Sequence, residues 1–203
     1  MKIKLFYIIF LITLSGFNPA IAQKPYFDTT MVNYKVPPGF IDGDITEKSY
    51  MPYAGSGDIN IDFTIKPVED DILIGFYFFN TTMPGVDYSK FRYIEDNVTR
   101  IVNSLIGIPR TYDSQGGINT KKLESMNSKI ITLFKGKKLK AYNADYAGIF
   151  DVPVQIPFYS YKRCKIFFMY KKSLGEVWKY YFFNDGTDID SYLKKTEFLT
   201  SFK

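Results

Sequence analysis

Residues 163–184 read RCKIFFMYKKSLGEVWKYYFFN. Two aromatic-rich runs, 163–171 and 177–184, flank Ser173, Leu174 and Gly175. A three-residue connection with glycine at a left-handed position is a common β-hairpin loop. The stretch is therefore expected to form two antiparallel strands. Closing the hairpin there sets Lys172 opposite Glu176, Tyr170 opposite Trp178, Phe168 opposite Tyr180 and Ile166 opposite Phe182. Alternate side chains of a strand point to opposite faces. One face then carries Ile166, Phe168, Tyr170, Trp178, Tyr180 and Phe182, a set that suits a core. The other carries Phe167, Met169, Tyr181 and Phe183 among Lys165, Lys171 and Lys179. A solvated sheet face does not usually hold that much apolar area. The preferred reading is that another segment covers it while the lysines reach outward. The functional alternative is that Phe167, Met169, Tyr181 and Phe183 form an exposed surface for a partner or ligand.

The pattern upstream extends the sheet. Ile59, Ile61, Phe63 and Ile65 alternate with Asn60, Asp62, Thr64 and Lys66, the period of a half-buried strand with those four apolar residues on one face. Residues 67–70 turn the chain into a second strand, 72–80, and the two are expected to pair as a hairpin. A short strand at 32–36 is stopped by Pro37, Pro38 and Gly39, and residues 42–58 read as a long polar loop. Phe91, Ile94, Val98, Ile101, Val102 and Leu105 recur at three and four, so an amphipathic helix of about five turns is expected. Asp87 or Ser89 can cap its start, and Gly107 with Pro109 stops it. The middle is ambiguous. Residues 120–135 fit a helix or a helix turning into a strand at Ile130, and 139–142 suggests a strand. Asp188 or Asp190 is expected to cap a final helix carrying Ile189, Tyr192, Leu193, Leu199 and Phe202. The whole reads as one α+β domain, an antiparallel β-sheet with amphipathic helices packed on one face.

Residues 1–22 have the three parts of a cleavable export signal. Lys2 and Lys4 precede the uncharged apolar run 5–14, and Ala20, Ile21 and Ala22 precede Gln23. Cleavage is expected between Ala22 and Gln23. The apolar run is too short for the ~20 residues that span a bilayer. A lipid anchor would need a cysteine at the new N-terminus, and the only cysteine is Cys164. The mature chain is thus expected to be soluble, in the periplasm or secreted, with no stable membrane span. Loss of two lysines leaves 24 basic against 21 acidic residues, a formal charge of +3. That permits contact with an acidic partner or an anionic membrane surface without arguing for either. The densest basic cluster, Lys135, Gly136, Lys137 and Lys138, reads as a solvated turn, and no nucleic-acid partner is expected. One cysteine excludes an intramolecular disulfide. The sequons at Asn80 and Asn97 would matter only in a eukaryotic secretory pathway, and a bacterial source is the preferred reading.

The chain contains no histidine. Ser-His-Asp and Cys-His catalysis are therefore excluded, as is any zinc site that needs imidazole. No phosphate-binding loop is present, and Gly116-Gly117 reads as a flexible turn. Cys164 falls on the core-like face of the hairpin, where a lone cysteine is usually a small packing residue. Carboxylates remain as possible catalysts. Asp70 and Asp71 fall in a turn, Glu95 and Asp96 on a solvated helix face, and Asp185, Asp188 and Asp190 before a helix, where the dipole favours negative charge. The last group resembles a calcium loop only in part, since the remaining ligands of such a loop are missing. No cofactor or metal is expected.

The opening strand with Tyr34, Lys35, Val36, Pro37, Pro38, Gly39 and Phe40 resembles the start of PsbP-like domains. The closing hairpin and capped helix ending in Leu199, Thr200, Ser201, Phe202 and Lys203 resemble their last element. The resemblance covers about a third of the chain, at its two ends. It implies an α/β/α-type sandwich around an antiparallel sheet. It also implies a mostly non-catalytic adaptor, as in exported bacterial DcrB-like proteins. The expected function is that of an exported, non-enzymatic protein binding another envelope or secreted protein, or a ligand. The alternatives are a glycan hydrolase using paired carboxylates and an inhibitor or immunity-type protein.

Overall fold

The hairpin of residues 163–184 lies at the centre of a seven-stranded antiparallel sheet. The computed structural model describes residues 31–68, 72–80, 94–109, 111–112, 118–119, 121–172 and 174–203. Residues 1–30, with the expected export signal and the Ala22–Gln23 junction, lie outside the described residues. Strands β1 (Val32–Tyr34), β2 (Phe40–Tyr50), β3 (Ile59–Pro67) and β4 (Ile72–Asn80) come first, then helix α1 (Ile94–Leu105). The middle holds β5 (Thr111–Tyr112), β6 (Ile118–Asn119), a 3-10 turn (Leu123–Ser125), β7 (Ile131–Leu133) and helix α2 (Gly136–Ala141). Strands β8 (Tyr146–Val152), β9 (Arg163–Lys171) and β10 (Gly175–Phe183), helix α3 (Ile189–Lys195) and strand β11 (Thr200–Phe202) complete the chain. The large sheet has the order β2-β3-β4-β10-β9-β8-β7, and β1 pairs with β11 in a separate ribbon. Antiparallel sheet dominates the architecture, and helices are few.

The central register differs from the expected one by two residues. Gly175 faces Lys171, Trp178 faces Phe168 and Tyr180 faces Ile166. Gly175, at φ 131°, opens β10 rather than closing the loop. A slip of two leaves every side chain on its face, whereas a slip of one would exchange the faces. Ile166, Phe168, Tyr170, Trp178, Tyr180 and Phe182 accordingly pack together, with Val98, Val102 and Leu105 of α1 against them. Helix α1 stops where expected. Gly107, at φ 79°, lets its N–H reach the Ser104 carbonyl and the Ile108 N–H reach that of Asn103, a left-handed glycine cap.

The other face is a second core. Phe167, Met169, Tyr181 and Phe183 are each at most 5 % exposed. They pack with Met31 and Val32, with Tyr192 of α3, and with Leu199 and Phe202. The exposed-surface alternative is thereby corrected: the N-terminal strand β1, the C-terminal strand β11 and α3 cover the face. Covering segments this far away in sequence leave no mark on the hairpin itself. Strand β10 is buried at every position. Helices lie on both faces of the sheet rather than one, since α1 joins the first core and α3 the second.

Three local expectations also change. Residues 42–58 are not simply a loop, because β2 occupies the edge of the sheet over 40–50. Its pairing with β3 is irregular between Asp42 and Thr46, with Asp44 and Glu47 in left-handed conformations. Such a bulged edge discourages pairing with other chains. Residues 139–142 are not a strand but belong to α2 and its end. Leu199 and Phe202 are not helical, because α3 ends before Thr196 and the chain extends into β11.

The clean alternation of β3 conceals a further break. Ile59 and Ile61 belong to the first core, but Phe63 and Ile65 belong to the second. Phe63 stacks on Phe76 at 4.8 Å, while Ile61 lies over Gly75, within 3.3 Å of where a β-carbon would stand. Ladder pairing with β4 runs only from Phe63 to Ile65. Beyond it, the Asp62 carboxylate accepts the Phe78 N–H at 2.8 Å. A side chain thus takes the place of a backbone acceptor where the strand changes face.

Candidate functional site

Lys179 is the only charged residue between Val177 and Phe183, and it is fully buried. Burying an ammonium is costly unless its protons find acceptors. Its Nζ donates to the Thr196 carbonyl at 3.0 Å and the Glu197 carbonyl at 3.3 Å. Both carbonyls lie just past the end of α3, where the dipole is negative. The ammonium also sits 4.1 Å from the centre of the Phe167 ring, within cation–π range. Desolvation outweighs these contacts and the nearby Glu197 charge, so the amine is pushed down from 10.5 to about 7.

A connected set of polar groups surrounds it. The Thr196 hydroxyl donates to the Tyr192 carbonyl at 2.7 Å, which uses its one proton. Tyr181 must therefore be the donor in the 2.8 Å contact between its hydroxyl and Thr196 Oγ1. Burial pushes the Tyr181 phenol well up. The Tyr142 hydroxyl donates to the Glu197 carbonyl at 2.9 Å. The Glu197 carboxylate meets Lys138 Nζ at 2.8 Å, and that ammonium lies 4.0 Å from the Phe134 ring centre.

These groups border a cleft of about 310 Å³ between the sheet and the two short helices. Phe134, Ile149 and Phe167 supply apolar walls, Lys179 and Tyr181 its buried base, and Lys138 and Lys194 its rim. Concave apolar sites with a few converging polar groups and a perturbed amine are where ligands are usually held. A larger cavity, about 460 Å³, lies between α1 and the β8–β9 edge. Its charged residues, Lys122 and Glu124, are exposed, so it lacks that feature.

The structure scatters the other sequence candidates. Phe167 and Tyr181 border the cleft, while Met169 and Phe183 are packed elsewhere in the same core. Cys164 is buried, and desolvation pushes its thiol far above the ordinary range. Asp185 bonds Arg163 at 3.0 Å, Asp188 caps α3 by accepting the Ser191 N–H, and only Asp190 reaches the cleft. Asp70, Asp71 and Gly116-Gly117 lie outside the described residues, as do the side chains of Glu95, Asp96 and Asn97. Asn80 is buried at the end of β4. Among the described residues, no three histidine, cysteine, aspartate or glutamate side chains gather as a metal site would require, and no helix is long and apolar enough to cross a membrane. Lys179 was a visible signal, a lysine inside an aromatic strand, but the hairpin pattern assigned it to a solvated edge.

No protein family, curated protein or solved structure matches the chain.

Proposed function

We propose that this chain is exported and acts as a non-enzymatic binding protein that takes a compact amphiphilic anion into the cleft between α2 and α3. The export signal read at residues 1–22 supports the location. The absence of histidine, together with the engagement of Asp185 and Asp188 in an ion pair and a cap, supports binding rather than turnover. The observation that carries the reading is the cleft itself, with apolar walls and three lysines, one of them buried, against two carboxylates, Asp190 and the Lys138-paired Glu197. An apolar body would pack on Phe134, Ile149 and Phe167, and an acidic head would meet Lys138 and Lys194. The α+β description, with α1 and α3 packed on the sheet and the end motifs resembling PsbP-like domains, accords with such a non-catalytic role.

Calorimetric titration with a medium-chain fatty acid and with the corresponding alcohol tests this. The acid is expected to bind saturably and at least about tenfold more tightly than the alcohol. Lys138→Met should remove most of that difference. Failure of both compounds to bind, or equal binding of the two, would overturn the reading.

A further inference from the structure

We propose that the face built by α2 and the C-terminal segment docks on an anionic lipid surface, with Phe198 as its apolar anchor. Lys135, Lys137 and Lys140 are exposed on and just before α2, and Lys194 and Lys195 are exposed at the end of α3. The two groups share one face. Lys138 pairs with Glu197 at 2.8 Å, and the Phe198 ring stacks on Tyr142, just past α2, at 5.4 Å. Among the described residues, none of Lys135, Lys137, Lys140 and Lys194 is paired with a carboxylate. Two acidic residues also lie on this side, Glu197, held by Lys138, and Asp190 in the cleft between the helices, so the face carries more lysines than carboxylates.

Phe198 is 61 % exposed, against Tyr142 at the end of α2 and three residues after Lys195 in the chain. A basic surface with an aromatic side chain standing out of it is the pattern of a peripheral membrane contact. The lysines meet anionic headgroups, and the ring enters the interface. The basic residues of this face are all lysines, with no arginine. Lysine acts as a point charge that suits headgroups of any orientation, whereas planar bidentate recognition of phosphate favours arginine. A bilayer therefore fits the face better than a nucleic acid does. Lys137 and Lys140 do not line the cleft, so this docking does not depend on what the cleft holds.

Co-sedimentation with vesicles tests it. The protein is expected to bind phosphatidylcholine vesicles containing phosphatidylglycerol, not pure phosphatidylcholine. Binding should be lost as salt rises from about 0.1 M to about 0.5 M. Reversing two charges with Lys137→Glu plus Lys140→Glu should weaken binding at least about tenfold. Phe198→Ser should weaken it severalfold with the far-ultraviolet circular dichroism unchanged. The proposal is overturned by no vesicle binding, by equal binding to both compositions, or by a Phe198→Ser variant that binds as well as the parent. It is also overturned if duplex DNA binds more tightly than the vesicles and the lysine substitutions abolish only that. Because both substituted lysines lie outside the cleft, fatty-acid binding and vesicle binding succeed or fail separately.

Discussion

Lys179 faces Phe167 across the β9–β10 ladder, with its ammonium 4.1 Å from the ring centre. The same ammonium holds the carbonyls that end α3. One buried amine thus ties the central strand to the helix that covers it. Its proton is held less tightly in the fold, near pH 7, than in the unfolded chain, near 10.5.

That difference makes stability depend on pH. Below about 7 the lysine is charged in both states, and the burial penalty is complete. Between 7 and 10.5 the unfolded chain binds the proton and the folded one increasingly does not. Stability therefore rises with pH in this window, by at most about 1.4 kcal/mol per pH unit. Above 9 the trend is opposed, because the Cys164 thiol ionises in the unfolded chain but is held protonated in the fold. Urea unfolding at pH 7, 8 and 9 should show the rise, and Lys179→Met should flatten it. An equal slope in both proteins would show that Lys179 does not titrate as described.

Cys164 should be almost inert in the native protein. It is 2 % exposed within the first core, and a protonated thiol is a poor nucleophile. A thiol-specific reagent at neutral pH is expected to label it about a thousandfold more slowly than in the denatured chain, at a rate set by opening. Labelling at the denatured rate would place this residue at the surface.

Gly43 sits where β2 bulges against β3. A β-carbon there would collide with Thr64 Oγ1 and stand 2.7 Å from Leu73 Cδ1. Thr64 Oγ1 also bonds both the N–H and the carbonyl of Ile45, each at 3.2 Å, so it has little freedom to withdraw. Gly43→Ala is expected to destabilise the protein by about 1–3 kcal/mol, read as a lowered denaturation midpoint. Gly39→Ala is the contrast. Its β-carbon would meet nothing within 4 Å, but its φ of +81° penalises any side chain, at roughly 1–2 kcal/mol. A neutral result at Gly43 would mean that the bulge relaxes.

Phe167→Ser with Tyr181→Ser should unfold the protein rather than expose a binding defect. Both side chains are within 3 % of full burial, and each truncation of a buried aromatic typically removes about 3–5 kcal/mol. Together they approach or exceed the total stability of an ordinary domain. Circular dichroism of the purified double variant checks this. A folded double variant would contradict the second core.

The central hairpin, the β3–β4 hairpin, α1 and the Asp188 cap were all legible because each rests on neighbours in sequence. Period-two alternation, period-three-and-four spacing, a glycine after a helix and an aspartate before one are local signals. The β2 edge was not legible, because Gly43, Asp44 and Glu47 interrupt its alternation. The face change in β3 was hidden for a different reason. Ile61 and Phe63 keep an unbroken alternating pattern, and nothing in it marks that they join different cores.

The candidate site shows the same division. The lysine inside an aromatic strand stood in plain view, but its burial depends on Leu199 and Phe202 leaving the helix and on β11 meeting β1, more than 160 positions away in sequence. By itself the sequence determined the hairpins, the stop of α1 and the start of α3, the two-faced apolar character of the sheet and the chemistries barred by having no histidine. Only the tertiary structure decided which faces stay wet, where β3 turns over and which lysine loses its solvent. Burial is set by whatever lies above a residue, and those covering segments come from distant parts of the chain.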